Sequence, residues 1–200
     1  MKYFIASDIH GSAAWCRKML EAFEKEQADR LILLGDVLYH GPRNNLPDEY
    51  DPPKVIEMLN PLKNRILAIC GNCDSAVDQM VLQFPIMADY AILSLPGEDD
   101  QPDALVYLTH GHVWNENHLP PLCEGDILLH GHTHVPVVRE HESYTYINPG
   151  SVAIPKDGSW HGYMILENGE FIWKSLEGES APAEDAAGPS RTVKMRWKRH

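Results

Sequence analysis

The 200-residue sequence is poor in cysteine, with four, and short of basic residues, with 17 Lys and Arg against 29 Asp and Glu. Four cysteines in a chain of this length do not make a disulfide scaffold, so a soluble protein in a reducing, cytoplasmic compartment is expected. Long apolar runs are also missing. After Met1 the chain is apolar only from Tyr3 to Ala6 before Ser7 and Asp8 interrupt it, too short for a secretory signal or a membrane span. The formal net charge of −12 argues against a general nucleic-acid coat, which needs a basic surface to meet phosphate backbones.

What is present is the composition of a folded domain: hydrophobic residues make up 44% of the chain, enough to bury a core. Residues 177–200 hold four acids, Glu177, Glu179, Glu184 and Asp185, and five bases, Arg191, Lys194, Arg196, Lys198 and Arg199. Taken from the chain totals, these leave 12 basic and 25 acidic side chains in residues 1–176. The Ala, Glu, Pro, Gly and Ser content of 177–190 reads as a linker, so one domain over 1–176 with a flexible tail and a basic end is expected. If so acidic a body handles phosphate, the neutralising charge must come from elsewhere, and bound metal cations are the candidates.

The first 72 residues alternate strand and helix. Tyr3–Ser7 is short and apolar, Ser12–Ala28 places Trp15, Met19, Leu20 and Phe23 at helical spacing, and Leu31–Leu34 is a buried strand. Pro53 opens a helix that runs to Leu62, and Arg65–Cys70 is a third strand. This βαβαβ order predicts parallel strands with helices packed on them. Beyond residue 75 strands dominate, at 91–95, 104–109, 126–130, 135–140, 144–148 and 162–167, and Asn168–Gly169 turns a hairpin into 171–176. Two packed sheets between helices is the expected architecture.

Each of several predicted strands ends in a short polar cluster: Asp8-Ile9-His10, Gly35-Asp36, Gly71-Asn72-Cys73-Asp74, His110-Gly111-His112 and Gly131-His132-Thr133-His134. Carboxyl ends of strands in such sheets gather on one edge, where ligand sites form. Asp8, His10, Asp36, Asn72, His110, His132 and His134 then converge from five loops. Residues i and i+2 of an extended segment face one side, which is the expected reason that Asp8 and His10, or His132 and His134, share a pocket. Mixed oxygen and imidazole donors suit Mn²⁺, Fe or Zn²⁺. Two ions about 3.5–4 Å apart need a bridging carboxylate, and Asp36 is the natural bridge.

Plainer readings compete at each position. Asp8 or Ser12 could cap the helix that starts at residue 12. His130 within an apolar strand and His118 in a loop read as structural. Arg43, soon after Asp36, either grips a substrate phosphate or is a solvated surface arginine. Cys70-Gly71-Asn72-Cys73 spells a C-x-x-C pair, open to redox or zinc chemistry. The basic end Arg191–Arg199 either meets an anionic partner or is a solvated tail.

Asp-x-His, Gly-Asp, Gly-Asn-x-Asp, His and Gly-His-x-His in this order resemble the motifs of the calcineurin-like metallophosphoesterases. Leu34-Gly35-Asp36, Gly41-Pro42-Arg43-Asn44, Gly71-Asn72-Cys73-Asp74, Thr109-His110-Gly111-His112, Gly131-His132-Thr133-His134 and Asn148-Pro149-Gly150-Ser151 are similar to the small bacterial YfcE-like phosphodiesterases within that superfamily. The resemblance covers residues 1–176 and implies a four-layer α/β/β/α sandwich. It implies two divalent ions, one on Asp8, His10 and His134, the other on Asn72, His110 and His132, with Asp36 bridging both. Mn²⁺ is the first expectation, with Zn²⁺, Fe and Ni²⁺ as alternatives. A small phosphodiester substrate, touched by Arg43 and Asn72, would be cleaved by a metal-bridging hydroxide, and a homodimer is expected. Many superfamily members carry histidine after Gly-Asn as proton donor to the leaving group, whereas this chain has Cys73. His112 then either fixes a ligand by hydrogen bond or serves as the acid. Two other readings remain: a non-catalytic scaffold, as the retromer subunit of the same fold, whose kind lacks a ligand at the position of His10, and a phosphomonoesterase.

Overall fold

The computed structural model describes residues 1–97, 103–177 and 192–194. From the N-terminus the elements are β1 (Tyr3–Ala6), α1 (Ala13–Lys25), β2 (Arg30–Leu33), α2 (Pro52–Leu59), β3 (Ile66–Ala68), α3 (Ala76–Gln79), β4 (Tyr90–Leu95) and β5 (Ala104–Thr109). Then follow β6 (Asp126–His130), β7 (Val137–Glu140), β8 (Tyr144–Asn148), β9 (Gly162–Glu167), β10 (Glu170–Ser175) and β11 (Thr192–Lys194). They form two sheets, ordered β11-β10-β9-β1-β2-β3 and β4-β5-β6-β8-β7. As the βαβαβ order predicts, β1, β2 and β3 are parallel. In the second sheet β5, β6 and β8 are parallel too.

Local chemistry accounts for the boundaries. Ser12 caps α1 by accepting the Trp15 N–H at 3.3 Å, so Asp8 is not the cap. Asp51 caps α2 by accepting the Lys54 N–H at 3.2 Å, ahead of Pro52 and Pro53 in the first turn. Asn168 and Gly169 both have positive φ, 51° and 74°, as a two-residue hairpin turn between β9 and β10 demands.

Strand alternation sorts the apolar residues into layers. Phe4, Ala6, Leu31, Leu33 and Ile165 face α1 and α2, meeting Met19, Phe23, Val55 and Leu59. Ile5, Ile32, Leu34, Met164, Phe171 and Trp173 face the second sheet, against Val106, Leu108, Ile127, Leu129 and Ile147. Each such side chain, fully buried, contributes about 1.5–3 kcal/mol, so this double core holds the strand ends rigidly. The outer face of the second sheet carries a smaller cluster of Tyr107, Leu128, Tyr144 and Tyr146, with Leu122 of the preceding loop packed on it.

Two elements were not expected, the four-residue α3 and β11. The latter falls within the tail, where Thr192–Lys194 pairs antiparallel with Glu170–Ile172. Of the linker expected over 177–190, Glu177 is described; 178–191 and 195–200 lie outside the described residues. No helix among the described residues is long and apolar enough to cross a membrane.

Candidate metal centre

The ends of β1, β2, β3, β5 and β6 lie together, stitched by backbone bonds: Asp8 N–H donates to Gly35 O at 3.1 Å and His10 N–H to Asp36 O at 2.9 Å. Asp8, His10, Asp36, His132 and His134 have φ of 61°, 49°, 55°, 66° and 64°. These are left-handed turns, so strand alternation is not what aims Asp8 with His10, and His132 and His134 go to different donor groups. Only four other non-glycine residues among those described have positive φ. Such conformations cost of order 1–3 kcal/mol each, less for Asp and His, and persist only where the surroundings over-determine them. Glycine supplies room beside them. A Cβ on Gly71 would stand 2.2 Å from Asp36 Oδ1, and one on Gly131 1.9 Å from Ser7 Oγ.

The first donor group is Asp8, His10 and His134, all buried, with ligand atoms within 4.8 Å of one another. His10 Nδ1 bonds Tyr39 O at 2.7 Å and His134 Nδ1 bonds Ile154 O at 2.6 Å. Each Nδ1 therefore carries the proton, and each Nε2 turns its lone pair inward. The two Nε2 atoms are 3.4 Å apart, and stand 3.6 and 3.3 Å from Asp8 Oδ1. Asp8 Oδ1 is buried with no satisfactory hydrogen bond among the described residues. Two lone pairs and an orphaned carboxylate oxygen facing one another fit a bound cation and are costly otherwise. Were the two Nε2 atoms protonated as well, His10 and His134 would outweigh the burial that raises the Asp8 carboxyl and hold it well below the usual range, so the site draws in positive charge either way.

The second donor group centres on His110. Its Nδ1 bonds Leu34 O at 2.6 Å, and its Nε2 lies 3.0 Å from Asn72 Oδ1 and 3.2 Å from His132 Nδ1. Burial lowers His110, yet Asp36 and Asp8 raise it to about 9, so the centre attracts positive charge. Asp36 joins the two groups: Oδ2 is 3.7 Å from His10 Nε2 and 3.4 Å from His110 Nε2. Its Oδ1 accepts the Cys73 N–H at 2.7 Å, which fixes the carboxylate plane. The seven residues singled out from sequence are thus brought together, and their donor set fits two divalent ions.

The remaining candidates separate. Cys73 is half-buried; its sulfur accepts from Asn72 Nδ2 at 3.2 Å, and burial with the nearby Asp36 carboxylate pushes the thiol up to about 12. His112 is exposed, its ring 5.4 Å from His110 and 6.4 Å from His132, centroid to centroid. Among the described residues His112 makes no hydrogen bond to a donor; its ring lies tilted beside those of His110 and His132. Arg43 is exposed on the loop after β2 with no ion-pair partner among the described residues. His130 is buried against Tyr146, rings 4.5 Å apart, and burial lowers it to about 4, which keeps it neutral. His118 stacks on Trp114 away from the donors. Cys70 and Cys73 are both free thiols.

Sequence reasoning missed the groups that hold the donors. Asp74 accepts the N–H groups of Asp36, Val37 and Gly71, each at 2.8 Å, and so clamps the loop after β2 to the loop after β3. Ser151 Oγ donates to Asp8 O at 3.0 Å and accepts the Ile154 N–H at 2.9 Å, while Ile154 O holds His134. Buried Asn148 donates to Gly131 O at 2.7 Å and Thr133 Oγ1 at 3.0 Å, bracing the loop of His132 and His134. Asp74, Asn148 and Ser151 stood in the sequence only as motif residues, the latter two in the run Asn148-Pro149-Gly150-Ser151 at the end of a predicted strand, with no role assigned.

Residues 1–170 match the calcineurin-like phosphoesterase superfamily domain. The chain is 43% identical over 189 residues to the phosphodiesterase YfcE of Escherichia coli K12, covering 94% of this chain and all of that one. The solved structure of YfcE, described as a phosphoesterase from E. coli, aligns with a TM-score of 0.86 at 41% identity, over 98% of this chain and 100% of that one. A zinc complex of Vps29 from Entamoeba histolytica shares the fold, with a TM-score of 0.57 at 16% identity over 98% of this chain and 100% of that one.

Proposed function

Since the chain belongs to the calcineurin-like phosphoesterase superfamily, we propose that it is a phosphodiesterase working with two divalent ions on Asp8, His10, Asp36, Asn72, His110, His132 and His134. The carrying observation is Asp36 Oδ2, set between His10 Nε2 and His110 Nε2 at 3.7 and 3.4 Å while Oδ1 is tied down. Bound there, the ions supply positive charge for the phosphoryl oxygens and an activated water as nucleophile. That answers the charge of the chain, whose residues 1–176 carry 25 acidic side chains against 12 basic ones, Arg43 on the loop after β2 among them.

The other work falls to side chains and carbonyls. Tyr39 O, Leu34 O and Ile154 O keep three imidazoles in the tautomer that ligates. Asp74 keeps Asp36 at its station, and the burial of Asp8, Asp36 and His110 excludes bulk water. Proton donation to the leaving oxygen falls to the exposed His112 or to water, since a thiol at Cys73 is a poorer acid than the imidazole many relatives place there. An imidazole-rich donor set favours Mn²⁺ over Mg²⁺. Four free thiols fit a cytoplasmic setting.

The test is a panel of phosphate monoesters and diesters, with protein stripped by chelator and verified metal-free by elemental analysis. Hydrolysis of an activated diester should vanish on stripping, return with Mn²⁺ and return less with Mg²⁺. Full activity in the stripped protein, or activity confined to monoesters, overturns the reading.

A further inference from the structure

Cys73 leaves a sulfur at a place the hydrolytic reading does not use. One donor atom each of His10, Asp36 and Cys73 form a third group, all within 4.8 Å of one another. The sulfur is confined there. The Cys73 N–H is held by Asp36 Oδ1 at 2.7 Å, and the loop after β2 closes over the side chain so tightly that a Cβ on Gly41 would stand 3.1 Å from Sγ. With His10 Nδ1 engaged by Tyr39 O, the nitrogen available to this group is Nε2, the atom that also belongs to the Asp8 group. A carboxylate oxygen and an imidazole nitrogen are shared by every ion the centre could take, but a thiolate discriminates: it favours zinc and cadmium and is a poor partner for Mn²⁺ or Mg²⁺.

We propose that Cys73 Sγ is a ligand for thiophilic divalent ions, which bind on His10, Asp36 and Cys73, whereas Mn²⁺ binds without the sulfur. The inference rests on the metal-centre reading above. Binding releases the thiol proton to solvent and forms one metal–sulfur bond, with no change of oxidation state. The identity of the bound ion then decides whether this sulfur is free or ligated.

The full-length protein, stripped of metal under reducing conditions, is titrated with Co²⁺ and separately with Cd²⁺. Cobalt d–d absorption reports the nitrogen and oxygen donors, and ultraviolet sulfur-to-metal charge transfer reports the thiolate. Charge transfer should saturate at one thiolate bond per chain, persist in Cys70→Ser and in Cys123→Ser, and vanish in Cys73→Ser while the d–d bands still develop. Cadmium affinity of Cys73→Ser should fall by at least about 100-fold, beyond the usual effect of a merely positioning group. A d–d spectrum without charge transfer in the wild type, or charge transfer that survives Cys73→Ser, overturns the sulfur ligand and leaves the phosphodiesterase reading standing. Absence of both signals removes the metal centre and the sulfur ligand together.

Discussion

Asp36 touches both donor groups, and His112 touches neither. Asp36→Asn should therefore cost more than the roughly 10–100-fold of losing a supporting residue, and more than His112→Ala, which removes no hydrogen bond to a donor. Equal kcat losses in the two variants would make His112 a ligand or the acid. Cys73 leads to a second expectation. General acid help is worth about 10²–10⁴-fold and grows with leaving-group basicity. The wild type should cleave aryl diesters much faster than alkyl diesters, and Cys73→His should narrow the gap by raising the alkyl rate. The dependence of log kcat/KM on leaving-group pKa checks this; a flat dependence in the wild type, with chemistry rate-limiting, means another acid is present. The donors were legible in the sequence because ligation demands particular side chains at strand ends. Their support was not, because Tyr39, Leu34 and Ile154 act through carbonyls that any residue carries.

At the scale of elements, the strands of both halves follow from short apolar runs, and β5, β6, β8 and β9 have the bounds the pattern predicts. β11 did not follow, since Thr192–Lys194 sits in a polar, low-complexity context whose pairing is decided by the free edge of β10. The left-handed turns of Asp8, His10, His132 and His134 were invisible for another reason: backbone strain is set by tertiary bonds, not by residue type. The segment after β8 supplies such bonds. Ser151 links Asp8 O to Ile154, which holds His134. Ser151→Ala should weaken one of the two ions by about 10–100-fold and spare the other. Chelator competition resolves the two affinities, and an equal loss at both would place Ser151 in general stability instead.

At the scale of the whole molecule, Glu26 at the end of α1 ties three parts of the chain together. It accepts from Lys2, from Lys174 of β10 and from Tyr163 of β9, at 2.9, 2.6 and 3.1 Å. Burial raises its carboxyl, but Lys174 and Lys2 outweigh that and lower it below the ordinary glutamate value. A carboxyl lowered on folding stabilises the protein above its unfolded pKa of about 4.3, and the gain is lost as pH falls through the folded value. Glu26→Gln should therefore lower the Tm of the metal-free protein at neutral pH, and the gap from wild type should shrink below pH of about 4. A gap independent of pH would mean that packing, not charge, is what Glu26 contributes.

β1 sits between β2 and β9, with its antiparallel neighbour about 160 residues downstream. Synthesis runs from the N-terminus, so β1 is made well before β9 and waits about 160 residues for that neighbour. All seven donors, from Asp8 to His134, are made before Gly162 opens β9, so they exist before β1 is flanked on both sides. An ion met before β9 pairs with β1 meets the donors on an unfinished sheet, so tight binding is expected only once that strand docks.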